Sequence, residues 1–159
     1  MDATEEVPET SPEGILRNVF KLKEFRAGQL KAIESLRDGR DVVVRLSTNG
    51  GKSLVYQLFP RLFGDSSCCL VISPLSALMS EQVEKLRDLG LKAICLIVPA
   101  HAKDLSNKII DRCQYCNQTL SVYMSPECAV SSSWMDVMKE IRHCLHLIAV
   151  DEAHCVAEW

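Results

Sequence analysis

The 159-residue sequence predicts an α/β fold in which a mostly parallel sheet carries helices on both faces. Three observations point there. Short runs of continuous apolar residues recur along the chain, as expected of strands buried on both faces. Segments with apolar residues at helical spacing separate them. The links between strand and helix are short, which favours βαβ connections over antiparallel hairpins.

Each element has its own warrant. Residues 1–13 hold five acids, two prolines and no basic residue, and read as a disordered acidic leader. "GILRNVFKLK" (14–23) spaces Ile15, Leu16, Val19 and Phe20 as one helix face. A second helix is expected from Ala27 to Arg37, stopped by Asp38-Gly39. "DVVVRL" (41–46) sets three β-branched residues in a row and predicts a buried strand. A helix over Lys52–Phe59 follows, limited by Pro60. "CCLVIS" (68–73) is the next strand, and "LSALMSEQVEKLRDLG" the next helix, closed by Gly90. "KAICLIV" (92–98) is a third strand, and a short helix is expected around Leu105–Asp111. "LSVYMS" (120–125) is a fourth strand, broken by Pro126. "SSWMDVMKEIRHC" is a helix with Ser132 or Ser133 as its cap. "LHLIAVDE" (145–152) is a fifth strand, and it ends in two acids.

Composition narrows the class. Apolar residues make up 47% of the chain, enough for a core, and the net charge of -3 gives no global positive field. Eight cysteines raise the question of a disulfide scaffold. Cys68, Cys69 and Cys95 lie inside apolar strands, however, where free cysteine acts as a small buried hydrophobe. "MDATEEVPET" lacks the features of a signal peptide, and no run of 18 apolar residues exists, so a reduced intracellular setting without a membrane is expected.

"RLSTNGGKSLVYQ" (45–57) carries the first chemistry. A nucleotide's phosphates need backbone N–H groups converging at a helix N-terminus, a lysine for the terminal phosphates and a hydroxyl for magnesium. Gly50 and Gly51 allow close approach, Lys52 supplies the charge and Ser53 the hydroxyl. Leu46 stands where the full Gly-rich pattern has glycine. Asn49 replaces a second glycine but visits positive φ more easily than most residues. The second chemistry is in "LIAVDEAH". Ligands of open α/β sheets bind at the carboxyl ends of the strands. Asp151 at such an end is suited to hold Mg2+ opposite Ser53. Glu152 is suited to activate the water that attacks a γ-phosphate, and His154 to couple the site to a further element.

With these residues in place, the chain resembles the N-terminal RecA-like half of RecQ-family DNA helicases over residues 16–159. "FRAGQLKAI" (25–33) is similar to the family's opening motif, which implies that Gln29 bonds an adenine edge with Arg26 near the nucleotide. "LSTNGGKSLVYQL" (46–58) is similar to motif I, so Ser47, Thr48, Asn49, Gly50, Gly51, Lys52 and Ser53 become candidate ATP contacts. "LVISPLSALMSEQVEKL" (70–86) resembles motif Ia and "YMSPE" (123–127) motif Ib, which imply DNA contacts at Ser73, Pro74 and Ser125. "LIAVDEAHCVAEW" (147–159) resembles motif II, with Lys52, Asp151, Glu152 and His154 as the catalytic set and Cys155 and Trp159 as the RecQ-like tail. Trp159 resembles the start of a loop that senses single-stranded DNA.

The resemblance implies ATP and Mg2+ as cofactors, single-stranded or forked DNA as partner, 3′-to-5′ unwinding, work in DNA repair and recombination, and a nuclear location. It also implies a fragment. Residues 14–159 would be a partial first RecA-like domain, C-terminally truncated. The second domain and the strand that the family sets beside the phosphate-loop strand would be missing. Nucleotide binding without unwinding is then expected, along with an open apolar sheet edge. Ser47 and Asn49 depart from the family's proline and glycine, and keep open a non-catalytic binding module. An RNA helicase of DEAD or DEAH type is the other rival, against which "FRAGQ" and the Cys155–Trp159 tail argue. Cys113 and Cys116 form a Cys-x-x-Cys pair with His101 as a conceivable third ligand, but a structural zinc site needs about four ligands.

Overall fold

The computed structural model describes residues 7–47, 50–97, 107–111 and 118–158. They divide into two compact units, Met1–Leu62 and Phe63–Trp159.

In the first unit, helix α1 spans Pro12–Asn18, α2 Gln29–Arg37 and α3 Lys52–Leu58, followed by a 3-10 segment at Phe59–Phe63. Helix α1 begins inside the stretch read as a disordered leader. Ser11 caps it by accepting from Gly14 N–H at 3.0 Å, and Pro12 occupies the first turn, where its missing N–H costs nothing. It also ends five residues before Lys23. Lys21 adopts φ 58, and its ammonium donates to Asn18 O at 2.7 Å, closing the helix that apolar spacing alone had extended. Both α1 and α2 pack on α3. Arg61 donates to Gln57 O and lies 5.5 Å over the Phe20 ring.

Residues 41–46, expected as a buried strand, enter no sheet ladder among the described residues. Val43 is 95% exposed. Three valines supply β propensity, but a strand exists only through its partner, and propensity without a ladder is weak.

The second unit is built on a four-stranded, all-parallel sheet: β1 Cys68–Ile72, β2 Lys92–Leu96, β3 Leu120–Met124 and β4 Leu145–Val150, in the order β2-β3-β1-β4. This is the α/β architecture of a RecA-like helicase domain. Helix α4 (Ser76–Asp88) links β1 to β2, a helix over 107–111 precedes β3, and α5 (Ser132–Ile141) precedes β4. One face buries Cys68, Leu70, Leu120, Val122, Met124 and Leu96 against Ile109 and α5 through Trp134, Val137 and Ile141. Side chains alternate along a strand, so Cys69, Val71, Tyr123 and Ala93 serve the opposite face. There α4 packs on β2 and β3, with Met79, Val83 and Leu86 buried. Arg87 closes the α4–β2 turn by donating from Nε and Nη2 to Ala93 O at 3.1 and 3.0 Å.

The strands stop slightly earlier than their apolar runs. After β3 a serine cap accounts for the difference. Ser125, read as the last strand residue, caps a helical turn at Pro126–Ala129 that the sequence did not reveal. The cap of α5 is Ser131, accepting from Trp134 N–H at 3.3 Å, in place of Ser132 or Ser133. Along β4 the register shifts beside Cys68, leaving His146 as the extra residue. Its ring stacks on Phe63 at 4.3 Å, and Nδ1 lies 2.8 Å from Cys144 O. As an outer strand β4 is only partly covered, with Ile148 50% and Val150 43% exposed.

All six described cysteines are free thiols. The candidate zinc residues His101, Cys113 and Cys116 lie outside the described residues. No helix among the described residues is long and apolar enough to cross a membrane.

Candidate functional site

The candidate residues fall in both units. In the first, the phosphate-loop sequence turns where Gly50 N–H donates to Ser47 O at 2.8 Å. Gly51 then takes φ 76 and ψ 33, a left-handed conformation that suits glycine, and leads into α3 at Lys52. No side chain caps α3, and of its first-turn N–H groups Leu54 N–H turns back to Gly51 O at 3.2 Å. Lys52 and Ser53 are half-buried at the first two helical positions, and Ser47 is exposed. Thr48 and Asn49 lie outside the described residues.

The opening motif meets this loop through one side chain. Gln29 is 2% exposed. Its Nε2 donates to Gly51 O at 2.9 Å, and its Oε1 accepts from Arg26 N–H at 2.7 Å. A Cβ on Gly51 would collide with Gln29 Nε2 and force that amide to shift, which adds to the strain set by φ. The exposed Arg26 runs beside the same glycine, its Cδ 3.7 Å from where that Cβ would lie. Thus "FRAGQ" and "GGKS" form one constellation. The amide of Gln29, read as a nucleobase contact, is engaged at both ends by backbone.

In the second unit the register sets a row. Leu96, Met124, Ile72 and Val150 pair across the sheet, so Ile97, Ser125, Ser73 and Asp151 follow at one carboxyl edge. Asp151 N–H donates to Ile72 O at 2.8 Å, prolonging the ladder by one bond. Glu152 then leaves the strand at φ 52, with its N–H donating to Asp151 Oδ1 at 3.0 Å. His154 Nδ1 lies 3.3 Å from Glu152 Oε2. A 3-10 segment, Ala153–Glu158, follows. The sharp turn at 152 separates the two carboxylates: Asp151 closes the strand edge and Glu152 faces the histidine.

The proposed DNA-contact serines are spent locally. Ser73 is 3% exposed, and its Oγ accepts from Leu75 N–H at 3.4 Å. Ser125 is 7% exposed. Its Oγ donates to Ile97 O at 3.0 Å and accepts from Cys128 N–H at 3.3 Å. Pro74 is partly exposed beside the exposed Leu75, and Trp159 lies outside the described residues.

The family model for DEAD/DEAH box helicases matches residues 26–159. The chain belongs to the DEAD/DEAH box helicase family. Among its relatives, the ATP-dependent DNA helicase RecQ of Haemophilus influenzae is 36% identical over 148 residues, covering 91% of this chain and 22% of that protein. The ATP-dependent DNA helicase hus2/rqh1 of Schizosaccharomyces pombe is 38% identical over 152 residues, covering 92% and 11%. RecQ of a Synechocystis species is 36% identical over 149 residues, covering 94% and 30%. The chain therefore spans less than a third of the length of these relatives. In this helicase family member, sequence reading missed two features. Gln29 ties the motifs together, and Arg17, Lys21, Leu22 and Lys23 line an open hollow of about 510 Å³. The first was hidden because a glutamine's partners are not encoded in its spacing. The second depends on the positive φ of Lys21, a conformation that lysine does not advertise.

Proposed function

We propose that this chain is the nucleotide-binding portion of a RecQ-type, ATP-dependent DNA helicase that unwinds DNA with 3′-to-5′ polarity. The observation that carries the reading is the Gln29 bridge to Gly51, which joins the opening motif to a glycine-led loop at the start of α3. The names of the RecQ relatives favour DNA over RNA as the substrate.

Each residue has a part in this reading. The uncapped start of α3 offers N–H groups to phosphate oxygens, and Lys52 adds a positive charge to the terminal phosphates. Arg26, beside Gly51, approaches the nucleotide from the opening motif. Ser53 and Asp151 each offer an oxygen donor of the kind that Mg2+ prefers and keep their sequence-based roles as candidate ligands of that ion. Glu152 orients and deprotonates the attacking water. Its backbone takes φ 52, and His154 Nδ1 lies 3.3 Å from its carboxylate. Ser73, Pro74 and Ser125 stand on the same sheet edge, and contact with a DNA backbone at the two buried serines would run through main-chain groups. A second RecA-like domain completes the cleft, and DNA repair in the nucleus is the setting. Thr48, Asn49 and Trp159, outside the described residues, keep their sequence-based roles as nucleotide and DNA contacts.

Titration of a fluorescent ATP analogue into the chain, with Mg2+ present, tests the proposal. Saturable binding that falls at least about tenfold, near 1.4 kcal/mol, in Lys52→Ala supports it. Binding that is unchanged by Lys52→Ala would sink it.

A further inference from the structure

Among the described residues, the free thiols Cys68, Cys128 and Cys144 share the buried core on the α5 side of the sheet. Cys68 is 0% exposed and Cys144 2%. Neither has a part in the chemistry proposed above. Cys68 opens β1, and Cys144 is the residue just before β4. Cys68 N–H donates to Cys144 O at 2.7 Å, so two residues far apart in sequence are backbone neighbours.

The register sets their separation. Cys68 pairs with Leu145, one residue beyond Cys144. Strands about 4.8 Å apart, with an offset of one residue or about 3.3 Å, put two Cα atoms roughly 6 Å apart. A disulfide spans Cα separations of about 4.4–6.8 Å. Within a regular strand, Cys144 and Leu145 would point to opposite faces. Cys144 lies ahead of the strand, in the turn after α5, and both it and Leu145 pack into the core that holds Cys68. Cys69 is turned to the opposite face by strand alternation. Cys144 Sγ donates to Ile141 O at 3.0 Å. Loss of that thiol proton orphans nothing, because Ile141 O also accepts from Cys144 N–H at 2.9 Å.

We infer that Cys68 and Cys144 form a site of oxidative modification, at which hydrogen peroxide joins them as a disulfide. Buried thiols are inert until they are exposed. Cys144 adjoins β4, an outer strand that is only partly covered, so local opening there admits the oxidant to Cys144 first. Its thiolate attacks one peroxide oxygen, the O–O bond breaks, and the departing hydroxide takes a proton to leave as water. The resulting sulfenic acid returns to the core as β4 closes. The Cys68 thiolate then attacks that sulfur, forming the S–S bond and expelling the oxygen as a second water. Two thiols are oxidised by two electrons, and one peroxide is reduced to two waters.

The test treats the full 159-residue chain with hydrogen peroxide, with and without urea below the unfolding transition. Remaining thiols are alkylated, and the unreduced digest is mapped by mass spectrometry. A linked peptide pair is expected, with fragmentation placing the bond at Cys68 and Cys144 and dithiothreitol abolishing it. It should form slowly in the folded chain and several-fold faster in urea. The oxidised chain should unfold at higher urea than the reduced one, and dithiothreitol should reverse that shift. Cys144→Ala should lose both the bond and the shift, whereas Cys69→Ala should keep both. Should these variants fold poorly, the map of the unaltered chain decides alone. A bond at Cys69 or Cys155 instead overturns the inference. So do sulfinic acid at Cys144 without a crosslink, an untouched pair of thiols, and mixed pairings that form only after complete unfolding. None of these readings involves nucleotide or DNA, so their failure leaves the proposed function standing.

Discussion

The side-chain amide of Gln29 reaches across 22 residues of sequence to Gly51, donating to its carbonyl oxygen at 2.9 Å. The same side chain accepts from Arg26 N–H at 2.7 Å. The consequence is that the phosphate loop is tied to the opening motif at this point. Gln29→Ala removes both bonds, while Gly51 O keeps the Leu54 N–H at 3.2 Å. We expect a loss of about 1–3 kcal/mol in urea-induced unfolding, together with weaker ATP-analogue binding. Gln29→Glu separates the two ends: its carboxylate still accepts from Arg26 but sets a buried negative charge against the Gly51 carbonyl, so at neutral pH its loss should be at least as large as that of the alanine variant.

Gly51→Ala attacks the same bridge from the other side. At φ 76 a Cβ costs about 1–2 kcal/mol of backbone strain, and the added methyl strikes Gln29 Nε2. In a Gln29→Ala background the steric part of that cost should disappear. A double-mutant cycle read by urea unfolding would show the coupling, and strict additivity would count against the contact.

Glu152 stands at φ 52, a conformation that glycine accepts freely. Glu152→Gly should therefore be thermally more stable than the natural chain, by up to about 1 kcal/mol, while losing the carboxylate that the proposed chemistry needs. Thermal unfolding checks the first half of this expectation. A drop in stability would mean that the pairing with His154 and the local packing outweigh the strain.

Burial pushes the Cys95 thiol above its ordinary value; Arg87 opposes that shift and Cys128 adds to it. A raised thiol stabilises the fold fully below the unfolded-state value of about 8.5, and this contribution is lost as pH rises through the folded-state value. Unfolding measured from pH 7 to pH 10 should show stability falling on the alkaline side. The fall should be shallower in Cys95→Ala. Identical alkaline slopes in the two proteins would contradict the assignment.

The sheet was legible because its strands are continuous apolar runs, and all four observed strands lie within one or two residues of those runs. The expected strand over 41–46 failed for the opposite reason. Its valines state a preference, yet pairing is a property of two segments, and only one of them is written there. Motif residues were legible as chemistry: Lys52, Ser53, Asp151 and Glu152 occupy helix starts and strand ends, where the spacing had put them. Local closure was not legible. Among the three serines at 131–133, only geometry selects Ser131 as the cap, and nothing in "FKLK" announces that Lys21 turns left-handed.

The end of β3 carries a consequence for assembly in time. Ser125 Oγ joins Ile97 O to Cys128 N–H, and Ser131 Oγ joins Cys128 O to Trp134 N–H. Three of these four bonds span three residues each and close with little loop entropy; the bond from Ser125 to Ile97 spans 28. Once β3 has docked on β2, the path of the chain into α5 is laid down by neighbours alone. Trp134 then arrives at the core already oriented, and the long-range search in this unit reduces to pairing the strands.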